Sequence, residues 1–309
     1  MRLQRRLDPP GPADAGFVAT IGGFDGIHLG HQTLVQRVRS QAEELRLESL
    51  LLSFEPLPRE YFTPGAPPGR LTTFRERWRL LSALGIDVFC VLRFCDALRN
   101  QTADEFAAAL ARAGIRRVLV GHDFRAGKGA KGDVDFLRAA GRRLGFEVEV
   151  LEPVCATGER ISSRGLRAAL QAGDLVTAQR WLGRRYSMRG RVIRGEQLGR
   201  TLGYPTANLR LERRCSPLDG IFAVRVKGVG AGRIDAVASL GTRPTVGGTV
   251  PLLEVHLFDF SGDLYGRELE VEFVARLREE RRFEALADLV VQMDRDAAEA
   301  RAALAADAD

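Results

Sequence analysis

Residues 22–31 read GGFDGIHLGH, and this glycine-rich stretch organises the first half of the chain. An apolar run at 17–21 precedes it, and a segment with helix-like character at 32–46 follows. Glycines let the backbone turn sharply and approach a phosphate that a β-carbon would obstruct. The start of a helix adds free N–H groups and the positive end of the helix dipole. The stretch therefore predicts a strand, a loop and a helix, with an anion-binding site where the helix begins.

Two histidines lie in this stretch, His28 and His31, out of four in the whole chain. Residues three apart share one face of a helix, so both imidazoles are expected to converge on one ligand. A single histidine is usually structural, but a pair within one turn favours a functional role. A metal site is the alternative, yet no cysteine or carboxylate nearby completes a zinc ligand set. We therefore rank a nucleotide site above a metal site.

The composition is that of a globular protein with no membrane segment. Its 309 residues suit one large or two ordinary domains. The net charge of +6 fits nucleic acid or small polyanions such as ATP equally well, but the arginines are scattered, so no nucleic-acid partner is expected. The four cysteines form no C-x-x-C pair, which indicates reduced thiols. With no run of 18 apolar residues and no leader-like start, we predict a cytoplasmic protein.

Strands and helices alternate through the rest of the first half. Strands are predicted at 49–54, 88–94, 117–120 and 146–151, and helices at 74–84, 103–113 and 133–144. The proline-rich segment at 56–68 is predicted to lack regular structure. This alternation indicates βαβ units and a parallel sheet. Ligands of such sheets bind beyond the carboxyl ends of the strands, where the stretch at 22–31 would lie.

Two further loops follow predicted strands in this half. The loop at 121–132 is basic and rich in glycine. This composition fits a loop that folds over phosphates and a solvated surface loop equally well. In the loop at 161–167, Ser162 or Ser163 would cap the helix that follows. The same hydroxyls and helix start would also suit a phosphate, with Arg167 holding it.

The pattern changes to a period of two near residue 185. Six strands are predicted at 187–194, 204–211, 221–226, 234–240, 252–260 and 268–277, separated by turns rather than helices. Such a series indicates an antiparallel barrel, so we predict two domains, at 1–184 and 185–309. A final helix at about 283–304 carries an apolar stripe that is expected to pack on the barrel.

The second distinctive stretch, GRTLGYPTAN, spans residues 199–208. Thr206 and Asn208 alternate along a predicted strand, so a hydroxyl and an amide oxygen point the same way. Neutral oxygens, phosphates and waters suit Mg²⁺. A glycine turn entering a polar-faced strand is the simpler reading of the residues alone. Likewise, Glu254 is either a solvated side chain on a strand or a carboxylate that accepts a proton during phosphoryl transfer.

These stretches resemble one known family, the bacterial bifunctional riboflavin kinase/FMN adenylyltransferases. Residues 22–31 are similar to the His-x-Gly-His signature of nucleotidylyltransferases, in the fuller form found in the adenylyltransferase module of this family. The Pro-Thr-Ala-Asn segment at 205–208 resembles the ATP and magnesium motif of riboflavin kinase. Residues 253–266 are similar to the strand and turn that carry the catalytic glutamate. The resemblance covers nearly the whole chain.

The chain departs from the family pattern at four positions. In the loop at 121–132, Ala126 replaces an aromatic residue, and Ala130 stands where an arginine is usual, with a lysine next to it. Arg164 replaces a threonine of the Ser-Ser-Thr-x-x-Arg motif, and Ser239 replaces an asparagine of the Asn-x-Gly-x-Arg-Pro-Thr loop. The first three departures lie around the expected ATP and flavin sites of the adenylyltransferase half.

The resemblance implies a Rossmann-like nucleotidylyltransferase sheet, a riboflavin-kinase-like barrel with a terminal helix, and two consecutive reactions. The barrel would phosphorylate riboflavin with ATP to FMN, with Glu254 as the base and Thr206 and Asn208 placing Mg²⁺. The sheet would join FMN to AMP, giving FAD and pyrophosphate, with His28 and His31 stabilising charge. Other residues would bind the nucleotides: Gly23, Phe24, Asp25, Gly30, Asp123, Ser162, Ser163, Arg167, Gly199 and Gly203.

Two alternatives to this reading remain at the level of sequence. The departures at 126, 130 and 164 would suit a kinase whose front half only binds nucleotide. A non-catalytic flavin or nucleotide-binding regulator is the second alternative, although the intact histidines and the Thr-Ala-Asn segment argue against it. We expect a monomer or a weak oligomer, with riboflavin, FMN, FAD and ATP as its ligands.

Overall fold

The computed structural model describes residues 1–8, 16–156, 158–195, 199, 202–245 and 248–307. It divides into two compact units. The first contains Met1–Pro68 and Phe74–Ser162, and the second contains Gly69–Thr73 and Ser163–Asp309. None of the described helices combines the length and the hydrophobicity that crossing a membrane requires.

The first unit is built on a parallel sheet of six strands in the order β1-β4-β3-β2-β5-β6. The strands are β1 (Arg2–Gln4), β2 (Phe17–Ile21), β3 (Glu48–Glu55), β4 (Val88–Arg93), β5 (Ile115–Gly121) and β6 (Glu147–Leu151). All five residues of β2 are buried, as expected of a parallel strand covered on both faces. From β2 the strand order runs outward in both directions, so the loop after β2 lies at the switch point where such sheets bind ligands.

Helices cover both faces of this sheet, with one apolar core on each side. They are α1 (Leu29–Leu45), α2 (Pro58–Phe62), α3 (Phe74–Ala83), α4 (Asp96–Asn100), α5 (Ala103–Arg112) and α6 (Val134–Leu144). A short hairpin follows, formed by β7 (Cys155–Ala156) and β8 (Glu159–Arg160). The prediction that 56–68 lacks regular structure was wrong for α2, a single turn that begins with a proline at its first position.

The second unit contains a closed barrel of six antiparallel strands in the order β10-β13-β12-β11-β14-β9. The strands are β9 (Ser187–Ile193), β10 (Ala207–Arg210), β11 (Gly220–Lys227), β12 (Ile234–Thr245), β13 (Gly248–Leu257) and β14 (Glu268–Arg278). The helices that the structure describes over their whole length in this unit are α7 (Ser163–Gln171), α8 (Leu175–Leu182) and α9 (Leu286–Ala306). Small residues of α9 pack against β11, β12 and β14. The predicted fold class, a parallel sheet followed by a six-stranded barrel with a terminal helix, is confirmed.

The second unit also includes a short piece of chain from the first half, Gly69–Thr73. Its backbone is bound by buried side chains of the second unit: the Tyr186 hydroxyl donates to the Leu71 carbonyl (3.0 Å), and Arg213 donates to the Arg70 carbonyl (3.1 Å). This segment, with α7 and α8, packs with the barrel rather than with the sheet. The grouping concerns packing, so the division of the two activities at residue 185 stays a prediction.

Candidate active sites

The loop between β2 and α1 is held in a strained conformation. Phe24 and Ile27 have positive φ angles of 49° and 44°, and Gly26 has a φ of 89°. A left-handed conformation costs about 1–2 kcal/mol for an L-residue, so it persists only where the surroundings enforce it. The side chains of Phe24, Asp25 and Ile27 are buried, which supplies that enforcement. The loop is thus a preformed structure.

The two predicted histidines come together at the start of α1. The His28 ring caps the helix, where its Nδ1 accepts the backbone N–H of His31 at 3.3 Å. The His28 and His31 rings stack with their centroids 3.6 Å apart and their planes 16° apart, and the Phe24 ring lies 4.9 Å from His31. Burial and then the neighbouring His28 hold the pKa of His31 well below 6.5. At neutral pH His31 is therefore an uncharged imidazole.

Two glycines of the loop tolerate a side chain differently. A β-carbon at Gly30 would lie 3.3 Å from the His28 ring, whereas one at Gly23 would meet only Leu57, at an ordinary 3.6 Å. Gly30 is therefore needed to seat the histidine pair. The space over Gly23 leaves the loop backbone open to a close approach.

A buried arginine that the sequence analysis missed lies beneath this loop. Arg77 of α3 is fully buried and donates to the Gly23 carbonyl at 3.0 Å and to Ser53 Oγ at 2.9 Å. It also forms an ion pair with Glu55 at 2.6 Å. The signal in the sequence was its position, because Arg77 lies four residues before the buried Leu81, on the core-facing side of α3.

An aromatic cluster in which Phe62 is exposed lies at the carboxyl ends of β3 and β4, and it was also missed. Phe54, Tyr61, Phe62 and Phe94 contact one another edge to face, with centroids 5.1–5.8 Å apart. Phe62 is 57% exposed, which is unusual for a phenylalanine that already has aromatic partners. These carboxyl ends lie at the edge of the sheet where the histidine loop begins, so a flat aromatic ligand has a platform beside the histidines.

The loop after β5 is closed by backbone hydrogen bonds. Ala126 and Gly132 exchange N–H···O bonds of 2.8 and 2.9 Å, and the Lys128 N–H donates to the Gln101 carbonyl at 2.7 Å. Asp123 forms an ion pair with Arg160 of β8 at 2.7 Å. Partial burial opposes ionisation of Asp123, but the hydrogen bond and charge of Arg160 prevail and lower its pKa. Asp123 is therefore an ionised carboxylate at the carboxyl edge of the sheet.

The predicted serines and Arg167 are divided between the two units. Ser162 ends the first unit, while Ser163 begins α7 in the second. Arg167 is buried and donates to the carbonyls of Gly69 (2.7 Å) and Ser163 (3.2 Å). In this conformation the guanidinium holds backbone of the second unit.

The barrel aligns three of the polar residues noted in the sequence. Asn208 of β10 pairs directly with Glu254 of β13, and Glu254 pairs on its other side with Ser239 of β12. Directly paired residues of antiparallel strands point to the same face, so an amide, a carboxylate and a hydroxyl lie in one row. Glu254 and Ser239 line a cavity of about 720 Å³ between the barrel and α9, and Thr206 lies at the same cavity.

Glycines shape the approach to this row. A β-carbon at Gly195 would lie 2.5 Å from the Asn208 amide, so this glycine gives Asn208 its space. Gly199 lines the cavity and accepts the Tyr204 N–H at 2.8 Å, which closes the turn before Thr206. Gly203, predicted to bind nucleotide, is exposed with a φ of 83°, and among the described residues none lies within 4 Å of a β-carbon placed there.

Side chains of α9 and of the segment before it complete the cavity. Arg278 binds Asp296 through two hydrogen bonds of 2.8 and 2.6 Å, and Ser239 Oγ donates to Glu280 at 3.1 Å. The His256 ring nitrogen donates to the Pro205 carbonyl at 3.0 Å, because a carbonyl can only accept. Neighbouring strands and the helix thus fix the wall that holds Thr206.

Comparisons with known proteins agree with this two-site arrangement. The family model described as FAD synthetase matches residues 12–165, and the one described as riboflavin kinase matches residues 182–304. A solved structure from Streptococcus pneumoniae, described as a macrolide-efflux protein, is similar with a TM-score of 0.79 and 30% identity, covering 97% of this chain and 98% of that one.

Curated relatives match along nearly their full length. The bifunctional riboflavin kinase/FMN adenylyltransferase of Haemophilus influenzae is 41% identical over 304 residues, covering 98% of this chain and 99% of the relative. The Pseudomonas fluorescens protein of the same name is 44% identical over 305 residues, covering 98% and 97%. The Escherichia coli K12 protein of that name is 41% identical over 288 residues, covering 93% and 92%. The chain therefore belongs to the family of bifunctional riboflavin kinase/FMN adenylyltransferases.

Proposed function

We propose that this chain makes FAD from riboflavin in two steps, one in each unit. The barrel phosphorylates riboflavin with ATP, giving FMN and ADP, and the sheet transfers AMP from a second ATP to FMN, giving FAD and pyrophosphate. The observation that carries the proposal is that one chain holds two polar groupings. They are the row Asn208–Glu254–Ser239, of which Glu254 and Ser239 line a cavity, and the stacked pair His28–His31 at the switch point. Retaining both sets disfavours a kinase-only chain and a non-catalytic regulator.

In the kinase step, Glu254 accepts the proton of the riboflavin 5′-hydroxyl as its oxygen attacks the γ-phosphorus of ATP. The bond from phosphorus to the β,γ-bridging oxygen breaks, and ADP leaves. The site suits Mg²⁺, because Thr206 and Asn208 offer neutral oxygens beside a carboxylate. These residues would hold the ion, which neutralises phosphate charge. Gly199 and Gly203 leave the backbone accessible to the phosphates.

In the adenylyl step, an anionic phosphate oxygen of FMN attacks the α-phosphorus of ATP, so no side-chain base is needed. Because His28 Nδ1 accepts a backbone N–H, its proton lies on Nε2, where it can donate to a phosphate oxygen. His31 adds a second neutral donor, and both stabilise charge that develops on the phosphates. The remaining residues of the first unit proposed to hold the nucleotide are Gly23, Phe24, Asp25, Gly30, Asp123 and Ser162.

The aromatic cluster at the ends of β3 and β4 is proposed to receive the isoalloxazine ring of FMN. Phe54, Tyr61, Phe62 and Phe94 contact one another edge to face there, and Phe62 is exposed. A stacked flavin would bury the exposed Phe62 and hold the FMN phosphate on the histidine side of the sheet.

One assay tests the function and separates the alternatives. The purified chain is incubated with riboflavin and Mg-ATP, and the flavins are resolved by chromatography. We expect FAD; FMN alone would mean that the first unit is inactive, and unchanged riboflavin would mean a binding protein. Glu254→Gln and His31→Gln are matched controls for each other. The first should block FMN formation but still convert added FMN, and the second should slow FAD formation by about 10²–10³-fold, as for loss of a preorganised donor, while FMN accumulates.

We also propose a cytoplasmic location for the chain. All four cysteines are free thiols, which fits the reducing cytoplasm. We propose a monomer or weak oligomer that uses Mg²⁺, with the two activities divided at residue 185.

A further inference from the structure

The contacts of Arg77 go beyond those of an ordinary structural ion pair. One nitrogen of its guanidinium donates both to the Gly23 carbonyl and to Ser53 Oγ, and another pairs with Glu55. Ser53 Oγ in turn donates to the same Gly23 carbonyl at 3.2 Å. A buried charge is tolerated only when it is paired and hydrogen-bonded. Here one of the hydrogen bonds that satisfy Arg77 goes to the Gly23 carbonyl, in the loop that carries the histidines.

The held carbonyl lies at one end of the strained part of the loop. Gly23 directly precedes Phe24, which has a φ of 49°. At the other end, Ile27 has a φ of 44°, and its carbonyl accepts Gln32 Nε2 at 2.9 Å. Side-chain donors therefore hold the backbone on both sides of the two unfavourable residues. These donors act together with the burial of the Phe24 and Ile27 side chains to hold both residues in the left-handed conformation.

The peptide between Gly23 and Phe24 links the Arg77 hydrogen bond to the histidines. In a planar trans peptide the C=O and N–H point in opposite directions, so a Gly23 carbonyl turned toward Arg77 turns the Phe24 N–H away from it. The Phe24 ring lies against His31, which stacks on His28. We propose that Arg77 is a positioning residue for adenylyl transfer, which sets the Phe24 peptide and, through the Phe24 ring, the histidine pair. This inference rests on the proposed function of the first unit.

The geometry of the guanidinium makes the proposal specific to arginine. A planar fork serves a carbonyl, a hydroxyl and a carboxylate in fixed directions, whereas a lysine ammonium is a point charge that can reach one or two of them. Lysine should therefore rescue the charge pair with Glu55 but only part of the loop geometry. If Arg77 only stabilised the fold, folded variants with lysine or another residue at this position would have the same rate of adenylyl transfer as wild type.

The test compares four variants with wild type. Arg77→Met removes the bonds to Gly23, Ser53 and Glu55, Arg77→Lys keeps the charge, and Ser53→Ala removes one hydroxyl donor with little change in volume. Arg79→Met is the matched control, because Arg79 is exposed on the same helix. For each variant, kcat and KM are measured separately for FMN to FAD and for riboflavin to FMN, with the second reaction as an internal control for the quantity of active chain.

We expect Arg77→Met to lower kcat for FAD formation about 100-fold, as for a misplacement of about 1 Å at the reacting groups, with KM values little changed. Arg77→Lys and Ser53→Ala should fall between this variant and wild type, and Arg79→Met should match wild type. FMN formation should be unchanged in all four.

Each outcome decides between distinct claims. A wild-type chain that makes no FAD overturns the proposed function and this inference with it. A wild-type chain that makes FAD, together with Arg77→Lys and Ser53→Ala variants of unchanged kcat, overturns this inference alone. If Arg77→Met unfolds the first unit, the two milder variants decide: a lowered kcat with an unchanged KM supports positioning, and a raised KM with an unchanged kcat contradicts it.

Discussion

Lowering the pH is expected to leave His31 uncharged in a range where an ordinary histidine is already protonated. Its Nδ1 is buried and has no hydrogen-bond partner among the residues that the structure describes, and its ring is packed against His28 and Phe24. Burial first, and then the neighbouring His28, lower the pKa of His31 well below 6.5. Below pH 6.5, His31 is therefore protonated more readily in the unfolded chain than in the folded protein.

The geometry gives the size of the effect. Two unit charges at the 3.6 Å separation of the rings would repel by about 5 kcal/mol at an effective dielectric constant of 20. Both rings are thus not charged together in the folded state near neutral pH. Because the folded pKa is lowered, the contribution of His31 to stability is complete above 6.5 and is lost as the pH falls below it. The slope is at most about 1.4 kcal/mol per pH unit for one proton.

Nuclear magnetic resonance of histidine rings labelled with ¹³C measures this directly. The chain has four histidines and so four sets of ring signals, and the signal missing from His31→Gln identifies His31. We expect the His31 signal to keep the shift of a neutral ring as the pH is lowered through 6.5. A midpoint at or above 6.5 would refute the view that burial and stacking keep this ring neutral.

Three substitutions test the packing of the two sites. Gly30→Ala places a methyl group 3.3 Å from the His28 ring, so FAD formation from FMN should fall about 100-fold while riboflavin phosphorylation is unchanged; equal rates would contradict the close fit. Gly195→Ala places a methyl group 2.5 Å from the Asn208 amide, so phosphorylation of riboflavin should fall by about the same factor and FAD formation from FMN should not; the reverse pattern would contradict the assignment. Tyr204→Phe removes a hydroxyl that donates to a carboxylate of α9, so thermal unfolding should show a loss of about 1 kcal/mol, and an unchanged midpoint would show that the bond contributes nothing.

Periodicity was sufficient to predict the sheet and the barrel, because both are made of elements whose apolar pattern is local. The helix predicted at 103–113 is an example: Thr102 and Glu105 bond to each other's backbone in a capping box, and α5 begins there. The sequence did not reveal β1, because it has only three residues, and its single apolar residue, Leu3, is exposed, so it carries no apolar pattern. β1 becomes a strand by pairing with β4, which is a tertiary contact.

The site residues that could be predicted are likewise those whose contacts are local in the sequence. The histidine pair was predictable because residues three apart meet within one turn of helix. The row Asn208–Glu254–Ser239 was not, because it depends on the register between three strands, and a shift of one residue would turn each side chain to the other face. Arg77 was missed for the same reason, since its link to the loop joins residues 54 apart in the chain.

Three of the four departures from the family pattern, Ala126, Ala130 and Arg164, lie outside the contacts that hold the histidine pair. The loop after β5 is closed at Ala126 by main-chain bonds, and its tight fit depends on Gly132, where a β-carbon would lie 2.8 Å from the Ala103 side chain. Ala130 occupies a left-handed position with a φ of 57°, and Arg164 is exposed on α7. None of these three side chains belongs to the imidazole pair or to the contacts that hold it. Because adenylyl transfer to an already anionic phosphate depends on donors set in place beforehand, the three departures leave the proposed donors, His28 and His31, in position.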